Sequence, residues 1–79
     1  MEVARNDKFI LVYANYPDCD NFHGDKILLI RSSWDDFKKI RKLDPHFLEE
    51  GSSSHIIARF QPTMVGWEIG MQLLSNLDD

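Results

Sequence analysis

The sequence predicts an α+β fold, a single small ββαβα domain over residues 1–79, and three observations predict it. Residues 9–13 (Phe-Ile-Leu-Val-Tyr) and 27–30 (Ile-Leu-Leu-Ile) are apolar runs rich in β-branched and aromatic side chains, which suit a pleated surface. Residues 55–60 (His-Ile-Ile-Ala-Arg-Phe) alternate as a half-buried strand does. Residues 34–43 and 62–77 carry helical spacing and helix-start signals.

The elements follow in order. Between the first two strands lies a long polar segment, residues 15–25, whose Asn, Pro, Asp and Gly content is turn chemistry. The first helix opens at Ser33, with Asp36 three residues on: a capping box with Asp in place of Glu. Asp35 and Asp36 sit at its positive end, and Lys38, Lys39, Arg41 and Lys42 toward its negative end, as the helix dipole favours. Trp34, Phe37, Ile40 and Leu43 read as one inward stripe at three-residue steps. Asp44-Pro45 ends this helix, because a residue before proline avoids the helical region. In the third strand Ile56, Ala58 and Phe60 point one way and His55, Ile57 and Arg59 the other. The second helix runs from 62 to 77, with Pro62 expected at its first position, where a missing N–H costs nothing. If the second and third strands run parallel, the link between them is a right-handed crossover. The expected sheet has three strands in the order 2-1-3, with both helices mainly on one face.

That arrangement leaves a surplus of apolar surface. At about 100° per residue, Glu68, Gln72, Ser75 and Asn76 cover only a narrow arc of the second helix. Met64, Val65, Trp67, Ile69, Met71, Leu73, Leu74 and Leu77 fill most of the remainder. Gly66 and Gly70 each cost about 1 kcal/mol of helix propensity, which points to a close approach by another backbone. Residues 9–14 and 27–30 are apolar on both faces as well, so both sheet faces need cover. Helices on opposite faces would supply it within one subunit. With both helices on one face, a second copy or another protein must supply it, and that is the expectation here. The expected contact residues are Tyr13, Met64, Gly66, Trp67, Gly70, Met71 and Leu74, because Trp and Met are enriched at interface cores.

Composition narrows the class of function. The chain has 79 residues, 43% hydrophobic and 28% charged, which suits a folded globular domain. Its net charge of −4 disfavours a general nucleic-acid coat or a polybasic membrane binder. Cys19 is the lone cysteine, so no internal disulfide forms, and a reducing compartment, most simply the cytoplasm, is expected. The first eight residues carry both signs of charge and no signal-peptide core, and no apolar run approaches the roughly 20 residues that span a bilayer.

Candidate chemistry is sparse. Asp18, Cys19, Asp20, His23 and Asp25 crowd one loop, and their side chains are metal ligands. They lack the paired Cys-x-x-Cys or His-x-x-x-His spacing of a built zinc site, and an acidic, solvated turn explains them better. Nothing local activates Cys19 as a nucleophile toward His23, His46 or His55. Lys38, Lys39, Arg41 and Lys42, with Trp34 before them, form a basic patch able to touch phosphates. The sequence therefore predicts a non-enzymatic protein–protein interaction module without cofactor or small-molecule substrate. It would be a small regulator, adaptor or inhibitor, homodimeric or docked on a larger protein, with the basic patch steering approach. The alternatives are nucleic-acid binding through helix 34–43 and a metal or thiol site in loop 18–25.

Overall fold

The computed structural model describes residues 2–14, 25–45, 48 and 54–77. The element order is β1 (Glu2–Arg5), β2 (Phe9–Ala14), β3 (Lys26–Arg31), α1 (Trp34–Leu43), β4 (Ile56–Phe60) and α2 (Met64–Asn76). The α+β class holds, but the sheet has four strands rather than three. The added strand, β1, lies in the mixed-charge N-terminal stretch. It is only four residues long, and its outer residues Glu2 and Arg5 are charged and exposed, so it carries almost no apolar signal.

The strands form an antiparallel meander in the order β1-β2-β3-β4. The expected 2-1-3 order is corrected: β3 lies between β2 and β4. The expected parallel crossover is corrected too, since β3 and β4 are antiparallel neighbours and the handedness rule for parallel links does not apply.

The helices lie on opposite faces of the sheet, not on one. Trp34, Phe37 and Ile40 of α1, with Leu48, cover the face made by Val3, Ile10, Val12, Ala14, Leu28, Ile30 and Ile56. Trp67 and Leu74 of α2, with Leu77, cover the face made by Ala4, Phe9, Leu11, Tyr13, Ile27, Leu29, Ala58 and Phe60. Ile10, Leu11 and Val12 are all fully buried, and so are Ile27 to Ile30, so consecutive residues of β2 and β3 are covered from both sides.

Local details follow the same physics. The Ser33 hydroxyl accepts from the Asp36 N–H at 3.2 Å, and Asp44 N–H donates to the Ile40 carbonyl to close α1. Leu43 is 87% exposed and does not join the inward stripe. Steps of three residues lag a helical turn by about 60° each, so by the third step the side chain has rotated off the face. In β4, Ile30 pairs with Ile56 but Leu29 pairs with Ala58, leaving Ile57 as the extra residue of a bulge. The bulge resets the alternation: Ile56 packs on the α1 side, whereas Ala58 and Phe60 pack on the α2 side. The second helix starts at Met64 with Thr63 as its cap, accepting from Gly66 N–H at 3.1 Å, so Pro62 precedes the helix rather than opening it. Among the described residues no helix is long and apolar enough to cross a membrane.

The glycines of α2 are consumed by this packing. A Cβ on Gly66 would meet the carbonyl oxygen of Gln61, and a Cβ on Gly70 would lie 2.8 and 3.0 Å from the two methyl carbons of Leu11. The close backbone approach at Gly66 is thus made by the chain's own lead-in to α2. Gly66→Ala is expected to destabilise by about 1–3 kcal/mol despite alanine's better helix propensity. Gly70→Ala should cost less, because its obstacle is a side-chain tip rather than backbone. Urea denaturation of both variants checks the order.

Asn6 ties the β1–β2 turn to the end of α2. Its Nδ2 donates to the carbonyls of Leu74 (3.3 Å) and Leu77 (3.2 Å), while its Oδ1 accepts from the N–H groups of Lys8 (3.0 Å) and Phe9 (2.8 Å). Asn6→Ala should lose about 1–2 kcal/mol of stability. Asn6→Asp should also destabilise, since it removes the donor and sets a negative charge on the negative end of α2. Thermal melts of the two variants at neutral pH check this.

Candidate functional site

The site is a groove between β1 and α2, and it arises from the way α2 is seated. The Trp67 ring lies 6.4 Å from the Tyr13 ring, Gly70 rests on Leu11, and Asn6 holds the carbonyls of Leu74 and Leu77. The helix therefore runs along β2 in the opposite direction. β1 lies beside it at the sheet margin, with its outer edge unpaired among the described residues. The groove between them has a volume of about 380 Å³ and is lined by Ala4, Arg5, Asn6, Met71, Leu74 and Ser75. Ala4 packs against the α2 side of the sheet, and its small side chain leaves this space open.

Helical spacing extends the wall. Met64 lies seven residues, or nearly two turns, before Met71, and Glu68 lies seven before Ser75, so all four share the flank that faces β1. Met64 is 79% exposed and Met71 37%. Val65 lies on the outer side, and Ile69 and Leu73 on the opposite flank; Val65 is 65% and Ile69 52% exposed.

The seven expected contact residues thus divide. Gly66, Gly70 and Leu74 are buried by the chain's own lead-in and sheet. Tyr13 and Trp67 are half-buried against one another beneath α2. Met64 and Met71 alone among them stand open. Sequence reasoning missed Ala4, Arg5, Asn6 and Ser75. The Asn6-Asp7 turn pair, placed before the apolar run of β2, is the signal that would have revealed a preceding strand.

Among the described residues Arg5 is the one charged residue of the groove lining, and beyond the lining, toward Tyr13, acidic residues follow. Glu2 pairs with Tyr13 in the ladder, Glu68 stands on the facing flank of α2, and the Tyr13 hydroxyl donates to Asp25 Oδ2 at 3.0 Å. That hydrogen bond raises the Tyr13 pKa above its ordinary value, with smaller contributions from burial and from the negative charge of Asp25.

The basic patch lies on the other side of the sheet. Lys38 pairs with Asp35 at 3.6 Å, both exposed, and the Arg41 guanidinium lies 5.9 Å from the centre of the Phe37 ring. Lys39 and Lys42 are exposed. Trp34 is engaged within the fold: it stacks on Phe37 at 5.5 Å and carries the Arg5 guanidinium at 4.6 Å. Asp18, Cys19, Asp20 and His23, together with His46, lie outside the described residues. Among the described residues no group of three or more His, Cys, Asp or Glu side chains is placed to hold a metal ion.

Tyr13 should ionise at higher pH than a free tyrosine, and Asp25→Asn should bring it back down. The folded state holds the proton more tightly than the unfolded state. Its contribution is therefore present below about pH 10 and is lost as pH rises through the raised value. Ultraviolet titration in a Tyr16→Phe background reads Tyr13 alone.

No family model, curated protein or solved structure matches the chain.

Proposed function

We propose that this chain is a non-enzymatic protein-binding module whose contact surface is the β1-facing flank of α2 and the groove beneath it. The observation that carries this reading is the exposure of Met64 and Met71 on a flank of the helix beside the face that covers the sheet. Methionine is flexible and polarisable and adapts to varied partners, so two of them on one flank suit a binding surface better than a solvated one. Val65 and Ile69 are exposed too, but on the outer side and the opposite flank of the helix. The partner is a second copy or a larger protein. The working place is the cytoplasm, in keeping with a lone cysteine.

The test is a Met64→Glu/Met71→Glu double variant. Met64 is 79% exposed and Met71 37%, so the change should cost no more than about 0.5 kcal/mol at Met64 and more at Met71, which a urea melt of the variant measures. Wild-type protein should retain a partner in affinity capture, or sediment as a dimer, and the double variant should do neither. Identical captured proteins and identical mass for both forms would count against the surface.

A further inference from the structure

From the groove we infer the form of its occupant: one extended peptide segment that adds as a further strand to the outer edge of β1, which pairs with no strand among the described residues. This rests on the protein-binding reading above and specifies how that binding is made. That edge presents backbone N–H and C=O groups along Glu2–Arg5. Only another extended backbone meets such a row in register, at the roughly 4.8 Å spacing of neighbouring strands. A helix has no main-chain groups left to offer along its length, and its diameter of about 10 Å or more would hold it off the edge.

The groove fits the side chains of such a strand. Alternate residues of an added strand point to opposite faces, so every second side chain would enter the space between β1 and α2. Ala4 forms its floor, Met71 and Leu74 its apolar wall, and Ser75 its rim. About 380 Å³ lies within the range of roughly 300–1,000 Å³ typical of ligand pockets. The inward residues of the segment are therefore apolar.

Charge sets the remaining feature. Glu2 and Glu68 stand exposed beyond the groove lining, toward Tyr13, where an added strand continues past Ala4. The rest of the sheet is antiparallel, and a segment continuing that pattern enters beside Arg5 and leaves beside Glu2. The occupant is thus a segment of alternating apolar residues followed by a basic one.

Short fluorescein-labelled peptides test this directly. The panel has Val, Leu or Phe at alternate positions, Thr between them and Lys at the C-terminal end. Full-length protein should bind at least one of them by fluorescence anisotropy. N-methylation of the peptide amides along one edge should weaken binding by about tenfold or more, while N-methylation along the other edge should not. Met71→Glu and Glu2→Lys should each weaken it as well, and amide exchange within Glu2–Arg5 should slow on binding. Failure of every panel member, or equal binding by peptides methylated on either edge, overturns the inference. If the Met64→Glu/Met71→Glu variant still loses a captured partner in that case, the protein-binding reading survives and strand addition alone falls. Dimerisation through β1, shown by the same slowed amides without peptide, would overturn the basic segment as occupant.

Discussion

Two adjacent strands that are apolar on both faces set the terms for everything else in this molecule. β2 and β3 cannot leave either side to water, so the chain must place cover above and below the sheet. Among the described elements it has one helix for each side, with Leu48 adding to the α1 face. α1 arrives between β3 and β4 and closes one face; α2 follows β4 and closes the other. Once both are used, no further element among those described shields the outer side of α2.

The two helices meet this demand differently. α1 is sharply two-sided, with Trp34, Phe37 and Ile40 inward and a charged exterior that also suits its dipole. α2 buries small residues instead. Gly66 and Gly70 let it sit close to Gln61 and Leu11, and only Leu74 and half of Trp67 add bulk beneath it. Much of its apolar content is thereby displaced to its flanks and outer side. Close seating and an open flank are two results of the same choice of residues.

Much of this was legible in the chain. The runs at 9–13 and 27–30, the Ser33 cap and the stop before Pro45 all correspond to described elements, because each depends on local chemistry. The strand order, the antiparallel pairing of β3 with β4 and the placing of helices on opposite faces depend on which distant segments pair, and periodicity does not carry that information. The bulge at Ile57 is invisible for a related reason: it exists only relative to the register of β3. At the groove, Met64 and Met71 stood out as an apolar excess, whereas Ala4 contributes by being small, and an absence of side chain leaves no pattern to read.

The bulge in β4 has a bearing on assembly size. It twists that margin of the sheet and, with Arg59 beside it, makes regular pairing there unfavourable. Under the strand addition proposed above, β1 would take a neighbour while the bulged margin would not, so pairing through sheet edges would close after one addition rather than run on into a fibre.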